Sequence, residues 1–376
     1  MNGVRIVELS TALAGPWATA ILADQGANVI KVERPGIGDI GRYVGVAVNG
    51  MSALYQMCNR GKRSIAVDVQ TIEGRDIVRE LVADADVFMQ NYRPGVVERL
   101  GLGYEDLKAI NPAIIYVSVS GFGPDGPYSR KGAYDTVIQA YGGFGHNQRD
   151  NATGVPRFLQ QTAADKVSAL TVSQAIAAAL FARERGAGGQ HLSVAMLDAV
   201  AAFLWADSAG NEVLLDSDGS MPSSFVQSFN PLRFTDGYAV ATPTSDADFH
   251  GMCKAFGVDS SDPLVANITV RRQNPSVGAA LIAECYQAAL SLTLAQGMER
   301  LEACNVPCGV VLSPEELVAD PHAIATGLFE ESVHPIAGRL RQPRPAARFG
   351  ATPATTGLPA PGLGQHTQEI LAALGR

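Results

Sequence analysis

The residue best placed for nucleophilic chemistry in this chain is Asp165. It stands in the stretch Thr162–Gln190, TAADKVSALTVSQAIAAALFARERGAGGQ, where the next carboxylate is Glu184. Small residues surround it, so a substrate can approach closely. At the start of a helix it meets the positive end of the dipole, where a carboxylate is expected to stay ionised. An ionised, approachable carboxylate suits covalent catalysis. The same residues fit a second role. Thr162-x-x-Asp165 has the spacing of a capping box, in which Asp165 would only satisfy a backbone N–H at the helix start. The stretch by itself leaves both roles open.

Three arginines form the second candidate group. Arg34, Arg93 and Arg99 each follow a short apolar run that reads as a strand or a helical turn. A single such arginine is ordinarily a solvated surface charge. Three of them on loops at one end of a sheet suit phosphate, because guanidinium groups bind its oxygens bidentately. Asn59–Ser64, NRGKRS, adds Arg60, Lys62 and Arg63 nearby. The cysteines offer less. Cys58, Cys253, Cys285, Cys304 and Cys308 are odd in number, and Cys304-x-x-x-Cys308 has no second pair to complete a zinc site. This usage fits a reduced, cytoplasmic protein without a metal.

The elements that must position these residues follow from periodicity. Val4–Leu9 and Asn28–Glu33 are β-branched runs that read as strands, with a helix over Pro16–Gly26 between them. That is a βαβ unit, the start of a doubly wound parallel sheet in an α/β fold. Ile65–Val69, Asp86–Gln90 and Ala113–Ser120 continue the strands, and Gly74–Ala83 supplies another helix. In such sheets ligands bind at the carboxyl ends of the strands, where Arg34 and Arg93 fall. The first strand–helix turn, Leu13-Ala14-Gly15-Pro16, is not a glycine fingerprint, so a dinucleotide-dependent dehydrogenase is not expected. The Asp165 helix is stopped by Gly186-Ala187-Gly188-Gly189, with Arg183 and Arg185 at the negative end of its dipole. A helix over Ala195–Leu215, a polar linker Ser217–Ser224, a hairpin about Thr235-Asp236-Gly237, a helical pattern from Asp248 to Ala303 and a strand within Cys304–Val311 follow. The expected domains are a large Rossmann-like one from 1–215, a smaller α+β one from 225–325, and a C-terminal segment 326–376 that rejoins the first.

Composition bounds the partners. With 376 residues, 47% of them hydrophobic, the chain is long enough for two cored domains. A net charge of −8 argues against nucleic acid or an anionic membrane as the main partner. No signal peptide and no membrane span are read in it.

Several blocks together carry a resemblance. STALAGPWATAILADQGANVIKVERPG, NRGKRSIAVD, NYRPGVVERLGLGYEDLKAINPAIIYVSVSGFGPDGPY, GAYDTVIQA and ARERGAGGQHLSVAMLDAV stand in this order, and PCGVVLSPEELVADPHA and PAPGLGQHTQEILAAL follow. The chain resembles the family III CoA-transferases. The resemblance implies that Asp165 is the catalytic nucleophile. It implies that CoA is held by Arg34, Val67, Asp68, Val69, Gln70, Asn91, Tyr92, Arg93, Arg99, Gly132, Ala133 and Tyr134, with the 3′-phosphorylated ADP on the arginines. It implies an interlocked homodimer and no tightly bound cofactor, coenzyme A and acyl-CoA entering as substrates beside a carboxylic acid. Members acting on formyl-CoA carry a Gln where this chain has Leu13, and a Lys where it has Gly132. An isomerase branch of the same fold, α-methylacyl-CoA racemase, takes an α-proton with an Asp/His pair. Its Asp falls on Asp165, but its His falls on Tyr134.

Overall fold

The computed structural model of the protein describes residues 1–150, 152–219 and 230–376. The chain divides into two compact units, one formed by Met1–Ala209 with Gly327–Arg376 and the other by Gly210–Thr326. The linker Ser217–Ser224 lies in part outside the described residues.

In the larger unit six strands form one sheet. They are β1 Arg5–Leu9, β2 Asn28–Glu33, β3 Lys62–Ala66, β4 Val87–Gln90, β5 Ile115–Ser120 and β6 Gln190–Ala195. Their spatial order is β3-β2-β1-β4-β5-β6, and every neighbouring pair is parallel. The order reverses between β1 and β4, which opens a crevice at the carboxyl end of β1. The longer helices are α1 Ala14–Asp24, α2 Ala53–Asn59, α3 Ile72–Ala83, α4 Tyr104–Ile110, α5 Asp135–Tyr141, α6 Ala163–Ala182 and α7 Met196–Ser208, and Thr367–Ala373 closes the chain.

Strand residues alternate between two apolar layers, as the period of two requires. Ile6, Val29, Met89 and Val117 pack with α1, α6 and α7, while Val7, Val32, Phe88 and Tyr116 pack with α3, α4 and Ile370 of the closing helix. The closing helix is tied to β3 by Ala66 N–H to Thr367 Oγ1 at 3.0 Å and His366 N–H to Ser64 O at 3.0 Å. α6 ends in a wide turn over Arg183–Ala187, where Gly186 takes φ 94°. Arg183 there forms an ion pair with Asp86 at 2.6 Å.

One strand differs from expectation. β3 runs Lys62–Ala66 rather than Ile65–Val69. The early start puts Lys62 beside Val29 in the ladder, and its ammonium is neutralised inside the fold by Glu8. Val67–Gln70 is thereby released as the loop at the strand's carboxyl end. Charge in a strand masked the strand signal.

In the smaller unit Leu232–Arg233, Tyr238–Ala241 and Cys308–Val310 form an antiparallel sheet, with Thr235-Asp236-Gly237 in the hairpin. The helical pattern is broken into Asp246–Phe256, Ile268–Gln273, Pro275–Ala289 and Leu294–Ala303. Gly257 at φ 73° stops the first of these, and Pro275 opens the third. Phe234, Phe249, Met252, Cys253 and Cys285 build its core. All five cysteines are free thiols. Among the described residues no helix is long and apolar enough to cross a membrane.

Candidate active site

Asp165 lies in the first turn of α6, but the helix is not capped from within. Thr162 makes no side-chain capping bond. The Asp165 N–H donates to Asp135 Oδ1 at 3.0 Å instead. Asp135 is buried at the start of α5 and is held by Gln139 Nε2 at 2.6 Å. Gln139 is itself fixed, accepting from Leu159 N–H at 3.0 Å and donating to Gln161 O at 2.9 Å. With the cap supplied by a neighbouring helix, the carboxylate of Asp165 is free of that duty. Its helix packs against α1, and the Ala14 N–H at the start of α1 favours the charged form of Asp165.

Its ionisation departs from the sequence expectation. Burial, chiefly, and then the charge of Asp135 push the Asp165 carboxyl up to about 7, against the opposing pull of the Ala14 N–H. The field of one helix start is worth about 1 kcal/mol at most sites, too little to offset desolvation and a like charge together. Asp165 is therefore a carboxyl that ionises near neutrality, rather than one that stays ionised throughout.

A cleft of about 260 Å³ opens at the carboxyl ends of β1, β2 and β3. Arg34, Val67, Asp68, Val69, Gln70 and Tyr92 line it, with Ser10, Thr11 and Asp39 on its inner wall. Arg93, Arg99, Gly132, Ala133 and Tyr134 are not among its lining residues. Arg93 runs beside Gly132, where a Cβ would come within 2.6 Å of its guanidinium. A side chain at 132 would move the Arg93 guanidinium from this path. Arg99 is exposed on the turn that follows Gly95. Ala133 packs against the apolar layer around α6. Tyr134 is 77% exposed at the start of α5, next to Asp135. Asn91 engages its amide elsewhere, accepting from Thr11 N–H at 2.9 Å and donating to Thr11 O at 2.8 Å.

The cations split into two kinds. Arg60 pairs with Asp24 at 2.7 Å, Lys62 with Glu8 at 2.6 Å and Arg63 with Glu369 at 2.8 Å. The NRGKRS cations are thus tied to carboxylates of the fold. Arg34, Arg93 and Arg99 have no carboxylate ion pair among the described residues.

Sequence reading missed a cluster beneath the cleft. Glu8, Lys31 and Lys62 are all fully buried. Glu8 accepts from Lys31 at 2.8 Å, Lys62 at 2.6 Å, Ser10 Oγ at 2.8 Å and Thr19 Oγ1 at 2.5 Å. Lys31 also meets Asp39 at 2.8 Å. Glu33 binds Arg42 at 2.7 Å and Ser64 Oγ at 2.6 Å beside them. Three carboxylates thus face three cations. Although burial opposes it, the two lysines hold Glu8 down to about 2, whereas desolvation draws Lys62 down to about 8. The signal was present in the sequence, since Glu8 and Lys31 interrupt apolar strands and stand opposite each other in the ladder.

Comparison with known proteins agrees with this architecture. The model of CoA-transferase family III matches residues 1–367. Human succinyl-CoA:glutarate CoA-transferase is 33% identical over 381 residues, covering 99% of this chain and 85% of that protein. The succinate–glutarate CoA-transferase of Agrobacterium fabrum is 33% identical over 394 residues, covering 100% and 95%. The crystal structure of a CAIB/BAIF family protein from Brucella suis superposes with a TM-score of 0.84 at 32% identity, covering 99% of this chain and 98% of that one. A parallel-sheet α/β fold, an unencumbered carboxylate at a helix start and a family match along nearly the whole chain lead to one conclusion: this chain is an enzyme of the CoA-transferase family III.

Proposed function

We propose that the chain moves CoA from an acyl-CoA thioester to a free carboxylic acid, with Asp165 as the nucleophile. The observation that carries this reading is the release of the Asp165 carboxylate from capping by Asp135. The carboxylate attacks the donor thioester carbonyl and expels CoA thiolate, leaving an acyl–aspartyl anhydride. The thiolate attacks the aspartyl carbonyl and releases the donor acid, leaving an aspartyl-CoA thioester. The acceptor carboxylate attacks that thioester and again expels the thiolate. The thiolate then attacks the acceptor's acyl carbon, giving the new acyl-CoA and restoring Asp165. Covalent catalysis replaces one difficult exchange by four easier steps. An elevated carboxyl pKa supports it, because a more basic carboxylate is a better nucleophile.

The cleft suits the nucleotide end of CoA, with Arg34 on its rim and Arg93 and Arg99 on the following loop. Arg34→Ala and Arg99→Ala are expected to raise KM for acyl-CoA with little change in kcat, since remote phosphate contacts act alike on ground and transition states. Normal KM in both variants would place the phosphates elsewhere. We further propose an interlocked homodimer, which would persist in sedimentation at nanomolar concentration, whereas a monomer there would exclude it.

A carboxyl ionising near 7 also suits proton abstraction, so the racemase reading has to be tested against transfer. Tyr134 stands where that reaction needs a His, and a phenol is a poorer general base than an imidazole. The test offers a 2-methylacyl-CoA in D₂O and, separately, succinyl- and acetyl-CoA with a panel of dicarboxylic acids, read by mass spectrometry. New acyl-CoA without deuterium at the α-carbon is expected. Deuterium uptake with no CoA exchange for any acid would overturn the transferase mechanism.

A further inference from the structure

The turn Ser10–Pro16 runs from the cleft to the start of α1, and the side chains of Lys31, Asn91, Asp39 and Lys62 grip it. Lys31 Nζ donates to Ser10 O at 2.9 Å. Asn91 brackets Thr11 from both sides of its peptide. Ala12 N–H donates to Asp39 Oδ1 at 2.8 Å. Lys62 Nζ donates to Pro16 O at 2.7 Å. Between these points Ala12 is held at φ 67°, a left-handed conformation that a residue with a Cβ adopts at a cost. Gly15 has no room for a side chain, since a Cβ would lie 2.6 Å from Ser10 Oγ. Such a conformation persists only where the surroundings over-determine it. At one end of the turn Ser10 and Thr11 line the cleft, and at the other Ala14 opens α1, which packs against α6 and whose N–H favours the charged form of Asp165.

We propose that Asn91 and the buried Glu8–Lys31–Lys62–Asp39 cluster are positioning residues for the reaction, holding the Ser10–Pro16 turn so that the start of α1 stays aimed at the Asp165 carboxylate. This rests on Asp165 as the nucleophile. The cluster pairs two ammonium groups with two carboxylates inside the fold, and both lysines donate to carbonyls of the turn, so it acts through the backbone of the turn rather than on substrate. Asn91, placed by family resemblance among the CoA contacts, takes the positioning role because both groups of its amide are engaged with Thr11. Asp39 belongs at once to the cleft wall and to the clamp, so occupancy of the cleft and geometry at Asp165 share one element.

The test uses the full-length protein and its Asn91→Ala variant. The ionisation of Asp165 is read by infrared spectroscopy in the absence of substrate, as the difference from Asp165→Asn. An N–H aimed at a carboxylate favours its charged form, so a loosened turn should move the midpoint upward. We expect an upward move of at least about half a pH unit, with kcat at pH 7 lowered about tenfold and KM for acyl-CoA within about threefold. Asp39→Asn keeps an acceptor for Ala12 but removes the charge facing Lys31. It should shift the midpoint the same way, and it replaces Asn91→Ala if that variant does not fold. An unchanged midpoint in a folded variant overturns the proposal, whatever happens to turnover. The infrared reading needs no activity, so its failure is distinct from that of the nucleophile assignment, which turnover in Asp165→Asn would show.

Discussion

Asp165→Asn should abolish turnover, by roughly a thousandfold or more, and at the same time stabilise the fold above pH 7. An amide cannot form the anhydride, which accounts for the first effect. The second follows from linkage. The folded-state pKa of Asp165 is raised from 3.8 to about 7. A carboxyl raised in this way favours the folded state below its unfolded pKa, and that contribution is lost as pH rises through about 7. Above it, a desolvated charge is held beside Asp135, and replacing it with an amide relieves a cost of ~2 kcal/mol after allowance for partial exposure. Thermal melts at pH 8 should show the variant a few degrees above the parent, with a smaller gap at pH 6. A capping role predicts the opposite sign, a loss of about 1 kcal/mol with activity intact. A folded Asp165→Asn protein that turns over would remove the nucleophile assignment. In the parent, kcat/KM should fall about tenfold per pH unit below pH 7, as the carboxylate becomes protonated. A flat profile from pH 5 to 8 would mean that Asp165 does not need to ionise.

The second large effect is expected at Glu8. Glu8→Ala leaves Lys31 and Lys62 buried without the carboxylate they share, and breaking a buried pair from one side costs about 3–5 kcal/mol. The urea midpoint should drop accordingly, and an unchanged midpoint would show that the cluster adds nothing net to stability. Lys62→Met should cost less. Its loss leaves Glu8 with Lys31, and desolvation already draws the Lys62 ammonium down to about 8. The pH dependence has its own sign. Glu8 ionises at about 2 when folded, against an ordinary value of 4.5. Its contribution is therefore complete above pH 4.5 and is lost as pH falls through about 2. The Glu8→Ala defect should accordingly persist down to pH 4.5 and shrink below it.

What the sequence determined by itself is the local order of the chain and its kinship. The β-branched runs at Arg5–Leu9, Asn28–Glu33 and Ile115–Ser120 and the small-residue helix around Asp165 are legible because their period and end signals act over a few residues. The quoted blocks, spread along the chain in order, carry the family. Charge defeated the same method at Lys62–Ala66, where a lysine enters a strand only because Glu8, 54 residues away, neutralises it. Tertiary structure decided the rest. Thr162-x-x-Asp165 read alone favours a cap, and only the fold shows the Asp165 N–H taken by Asp135, 30 residues earlier. Arg34 and Arg60 look alike in sequence, and only the packing shows that one meets Asp24 while the other rims a cleft. Ionisation is the furthest from sequence, because desolvation and like charge are sums over neighbours that the chain brings together only by folding.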